Sequence, residues 1–170
     1  LRSDSAAPHR HPSGSPQWTV GDSLAAYGVD SWSNGFFGIS PRGDAEVYLD
    51  REGHRLALAL PQIVDEAQRR GLNTPLLLRF PDLLAARLHR LNQSFHNAMQ
   101  RCDYRGRYRG VYPIKVNQQR QVLEEVTRCG KRYHFGLEVG SKPELLAALA
   151  YLRDPEALLV CNGYKDRQFV

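Results

Sequence analysis

Tyr112-Pro113-Ile114-Lys115-Val116-Asn117-Gln118-Gln119 places one lysine inside a short apolar run that reads as a β-strand, close to its polar end. Successive strand side chains point to opposite faces. Tyr112, Ile114 and Val116 are therefore expected on one bulky apolar face, and Lys115 on the other with Val111 and Pro113. With helices over the apolar face, Lys115 points into a sheet interior or barrel. A charged amine is costly to bury, so it must be paired, neutralised or covalently used.

Working outward, strand and helix patterns alternate. An apolar strand is expected over 75–80, and Pro81 opens a long helix with Leu83, Leu84, Leu88, Leu91, Phe95 and Met99 on one side. After the lysine strand come a helix over about 118–128 closed by Gly130, a strand over 134–139, and a helix introduced by Ser141. Ser141 and Glu144 have capping-box spacing, with Pro143 suited to the first turn. A fourth strand over 157–161 ends at Asn162-Gly163. Such alternation implies a parallel sheet with helical crossovers. Upstream, a helix is expected over 61–70, and 36–39 and 45–49 flank a Ser-Pro-Arg-Gly-Asp turn as a hairpin. Residues 1–16, rich in Ser, Pro, His and Arg, read as a disordered tail.

The chain of 170 residues is 42% hydrophobic and 24% charged, the balance of a soluble domain. No apolar run approaches the roughly 18 residues of a membrane span, and no secretory segment follows Leu1, so a cytoplasmic, non-membrane protein is expected. Cys102, Cys129 and Cys161 are scattered and read as reduced, buried fillers. The six histidines show no metal spacing, and no metal site is expected. The net charge of +5 and the interleaved arginines and tyrosines of 101–110 admit a nucleic-acid reading. The reading preferred is a solvated loop leading to the lysine strand, with no nucleic-acid partner.

The stretch YPIKVNQQ, with GLEVGSKPELL over 136–146 and LLVCNGYKD over 158–166, closely resembles the biosynthetic arginine decarboxylases. The likeness includes Trp32-Ser33-Asn34-Gly35-Phe36-Phe37 and Thr74 to Phe80, in order, and covers about 32–170. It implies an α/β fold, part of a (β/α)8 TIM-type barrel of the alanine-racemase-like fold type III, preceded by strands of a second β domain. Residues 17–59 would be the hairpin segment of that β domain and 60–170 the first part of the cofactor-binding barrel. Family members are several times longer, so an N-terminal piece, inactive alone, is expected. The resemblance also implies decarboxylation of L-arginine to agmatine and carbon dioxide in polyamine (spermidine and putrescine) biosynthesis, pyridoxal 5'-phosphate as cofactor, an association with magnesium, and a homo-oligomer, dimer or tetramer.

At the carboxyl end of a barrel strand, the Lys115 amine can form an imine with the cofactor aldehyde, the internal aldimine. Taken without the resemblance, Lys115 reads more readily as an edge or surface lysine than as a catalytic one. Glu138 shares the interior side of the next strand and is expected to be its counter-ion, or else a structural salt bridge. Arg79, Asn117, Ser141 and Asn162 follow strand ends and could line the cofactor cavity; all four also suit surface, turn and cap positions. No Gly-rich phosphate loop is present in the sequence. The alternatives are another enzyme of the same barrel class, acting on ornithine, lysine, diaminopimelate or as a racemase, and a non-catalytic carrier of the cofactor.

Overall fold

The structure, a computed structural model, describes residues 17–51 and 53–170; the expected tail lies outside them. Two compact units are present. One contains the described residues through Tyr48 with Leu56–Thr74, the other Leu49–Arg55 with Pro75–Val170.

The N-terminal residues form two short helices that the sequence reading did not anticipate, α1 (Val20–Ala26) and α2 (Val29–Ser33). Thr19 and Asp22 close a reciprocal capping box on α1, each side chain bonding the other's backbone N–H. The expected hairpin forms from β1 (Phe37–Ile39) and β2 (Ala45–Arg51), antiparallel with Phe37 opposite Val47. Ser40 holds its turn: the hydroxyl accepts from Arg42 and Asp44 N–H, while Gly43 takes the positive φ of 89°. A third strand, β3 (His54–Ala59), completes the sheet in the order β1-β2-β3. It supplies the extra pairing that a lone hairpin lacks. Helix α3 (Leu60–Arg69), expected in the barrel segment, groups with this first unit.

In the second unit, the strand expected over 75–80 has no ladder partner among the described residues, and the backbone there carries no regular structure. A strand exists only where a neighbour accepts its hydrogen bonds, and Pro75 has no N–H to offer. Helix α4 (Pro81–Arg101) begins at Pro81 as expected. Its buried side is narrower than its apolar stripe: Leu88 is buried, whereas Leu91 and Phe95 remain exposed.

Three parallel strands follow, not four: β4 (Val111–Pro113), β5 (Gly136–Val139) and β6 (Leu159–Cys161), in that spatial order. Helix α5 (Arg120–Gly130) joins the first two and α6 (Lys142–Tyr151) the last two. Pro113 stands opposite Glu138, and Glu138 opposite Val160. Leu88, Ile114, Leu123, Val126, Phe135, Leu137, Val139 and Ala148 form the core between sheet and helices. Gly136 is required by contact: a Cβ there would lie 1.9 Å from the Leu158 carbonyl oxygen. This is an α/β arrangement with helices crossing between parallel strands. No helix among the described residues is long and apolar enough to cross a membrane.

Candidate active site

Lys115 does not sit in a strand. The β4 ladder stops at Pro113, and Ile114–Val116 wind into a single 3₁₀ turn. The expected alternation therefore breaks: Ile114 is buried, but Val116 is 68% exposed instead of facing a helix. Pro113 has no N–H with which to continue the ladder, and burial of Ile114 anchors the turn beneath Lys115. The lysine side chain, 66% exposed, emerges at the carboxyl end of the sheet.

Alternation does hold in β5. Leu137 and Val139 are fully buried on one face, and Glu138 projects from the other with its side chain 20% exposed. The Glu138 Oε1 lies 4.0 Å from Lys115 Nζ. The same oxygen accepts a 3.1 Å hydrogen bond from Asn162 Nδ2. Lys115, Glu138 and Asn162, each just beyond or near the end of a different strand, thus converge. An amine beside a carboxylate, open to solvent on one side, is a donor set able to condense with an aldehyde and manage its protons. That set fits the aldehyde end of pyridoxal phosphate.

The other candidates are placed differently. Asn117 Oδ1 accepts from Gln119 N–H at 3.0 Å, turning the chain into α5, and its carbonyl accepts from the Tyr112 hydroxyl at 3.3 Å. Burial pushes the Tyr112 phenol above its ordinary range. Ser141 caps α6, accepting from Glu144 N–H. Arg79 is exposed in the unpaired 75–80 segment and makes no hydrogen bond or ion pair with Lys115 or Glu138.

Glu144 does more than its spacing suggested. Its carboxylate does not close the box on Ser141; it accepts from Gly140 N–H at 2.7 Å and from Gln118 Nε2 at 3.3 Å. Buried, it ties the turn after Glu138 to the loop after Lys115. Glutamine in a strand-to-helix loop is no local signal for such a bond, which spans 26 residues of sequence.

The Arg/Tyr segment is partly engaged. Tyr108 stacks on Phe95 at 3.9 Å between ring centroids, and Arg109 pairs with Glu156 at 3.3 Å. The cysteines are free, but only Cys129 is half-buried, its thiol pushed up by burial. Cys102 and Cys161 are exposed, contrary to expectation, because one ends α4 and the other ends the edge strand β6. No cluster of three or more His, Cys, Asp or Glu suited to a metal occurs among the described residues.

The chain is similar to known proteins. Biosynthetic arginine decarboxylase of Prochlorococcus marinus (strain MIT 9313) is 48% identical over 153 residues, covering 90% of this chain and 24% of that protein. The enzyme of the same name from Parasynechococcus marenigrum (strain WH8102) is 51% identical over 154 residues, again 90% of this chain and 24% of its own length. The crystal structure of the biosynthetic arginine decarboxylase from Campylobacter jejuni superposes with a TM-score of 0.76 at 37% identity, covering 84% of this chain and 23% of that one. The chain thus spans about a quarter of the length of the curated relatives it matches. Residues 86–170 match the family described as pyridoxal-dependent decarboxylase, pyridoxal binding domain, and the chain belongs to that family.

Proposed function

We propose that this chain carries the cofactor-bearing lysine of a pyridoxal-phosphate-dependent arginine decarboxylase, which converts L-arginine to agmatine and carbon dioxide on a route to polyamines. The observation that supports this most directly is the Lys115 amine at the carboxyl end of a parallel sheet, 4.0 Å from a Glu138 carboxylate that Asn162 holds. The names of the similar proteins support the substrate.

Lys115 would hold the cofactor through its aldehyde, with Glu138 as the charged partner that orients the amine and exchanges protons with it. Pyridoxal phosphate, when bound, supplies an electron sink for the pair freed as carbon dioxide leaves. The phosphate needs a backbone nest; the side-chain oxygens of Asn117 and Ser141 are engaged in turn and cap bonds. In this reading β4, β5 and β6 are consecutive staves of a (β/α)8 barrel of fold type III, and the strands within 17–59 belong to a second, β-rich domain.

The test uses the full-length gene product loaded with pyridoxal phosphate, reduced with borohydride and peptide-mapped, alongside carbon dioxide release from arginine, ornithine and lysine. The label is expected at Lys115, with release from arginine. A label on another lysine overturns the site, release from ornithine or lysine in its place moves the substrate, and a label with no release leaves a cofactor carrier.

A further inference from the structure

Asn162 has all four of its polar groups occupied. Its N–H donates to the Val139 carbonyl at 2.7 Å, adding one rung to the β5–β6 ladder. Its carbonyl accepts from Lys165 Nζ. Its Oδ1 accepts from Gly163 N–H at 2.8 Å, and its Nδ2 donates to Glu138 Oε1 at 3.1 Å. The Gly163 bond fixes which way the amide faces. Flipping it would set NH₂ against an N–H and oxygen against a carboxylate, two repulsions in place of two bonds. Gly163, at φ 81°, makes the tight turn that brings its N–H round to the side chain.

The oxygen that Asn162 holds is the one nearest Lys115. That bond favours the carboxylate orientation in which an oxygen faces the amine. We infer that Asn162 is a positioning residue for the reaction. It holds Glu138 in register with Lys115 and touches the chemistry only through that carboxylate. Lys165 Nζ donates to the main-chain carbonyl of Asn162, so a second ammonium ties down the Asn162 backbone. This inference rests on Lys115 as the cofactor-bearing amine.

The experiment uses the full-length holoenzyme. Asn162→Ala is expected to lower kcat about tenfold or more with KM changed little, and to move the pH at which the bound cofactor's visible absorbance changes by about half a unit or more. In a Glu138→Ala background the same change should add nothing, because its target is gone. Asn162→Asp keeps the acceptor for Gly163 N–H, so it serves if alanine loosens the turn; it sets carboxylate against carboxylate and should cost more activity than alanine. An unmoved absorbance profile, or a full additional loss in the Glu138→Ala background, overturns the inference. Borohydride labelling of each variant separates the two levels. Label at Lys115 with an unmoved profile refutes the role of Asn162 alone, whereas absence of label there removes the reading beneath it.

Discussion

At the carboxyl ends of β4 and β5, an exposed amine stands 4.0 Å from its carboxylate. At the amino end of the same sheet, His134 Nδ1 meets Asp154 at 2.8 Å and Arg109 meets Glu156 at 3.3 Å. Arg109 precedes β4, His134 precedes β5, and Asp154 and Glu156 precede β6, so these pairs staple the three strand entries together. His134 takes a left-handed φ of 51° there, and Glu156 also lies 3.8 Å from its Nε2. One end is closed by mutual contact, and at the other an amine stands exposed. Charged groups thus serve two purposes in one sheet: at the amino end they join the strand entries, and in the proposed reading those at the carboxyl end present the chemistry.

Substitution should break that contrast unequally. Lys115→Ala in the full-length enzyme should abolish decarboxylation, a loss on the order of 10⁴-fold or more, while the melting temperature of the cofactor-free protein stays within a degree or two because the side chain is exposed. Steady-state carbon dioxide release and calorimetry read the two halves. Retained turnover would place the reactive amine elsewhere.

Gly136→Ala should do the reverse, acting on stability. The added methyl would meet a backbone carbonyl that cannot swing aside, so β5 and β6 must separate, at a cost of about 3 kcal/mol or more. Chemical denaturation of the full-length protein measures it, and a change under 1 kcal/mol would show that the strands shift freely.

Asp154→Asn should have the smallest effect, a modest fall in melting temperature at neutral pH with activity nearly unchanged. The Asp154 carboxyl is held below the usual carboxylate range, first by the Glu156 N–H and then by His134. A carboxyl lowered on folding stabilises the protein above its unfolded pKa, and that contribution fades as pH falls through the folded value. The gap between wild type and variant should therefore be full at pH 6 and close below about pH 3.8. A gap that persists in acid would mean that the pair matters through packing and not charge.

Much of this was legible in the residues. Pro81 and the leucine spacing after it mark α4, because Pro acts within its own turn of chain. Ser141 marks the start of α6 for the same reason. Gly130, by contrast, is the last residue of α5 in right-handed geometry (φ −75°) and not a stop beyond it. The Leu137-Glu138-Val139 alternation put Glu138 on the open face, since strand side chains alternate whatever lies beyond them. The early helices were not legible because each is short, seven and five residues, and lacks a sustained apolar period.

By itself, then, the sequence determined the helices of the second unit, the parallel alternation, and the pairing of a lysine with a glutamate at neighbouring strand ends. Tertiary structure alone decided that 75–80 stays unpaired, that Glu144 reaches Gln118, and that Asn162 grips Glu138. Caps and periods are settled by atoms a few residues apart. A carboxylate's partner is settled by atoms 24 or 26 residues away along the chain, which meet only after the sheet has closed.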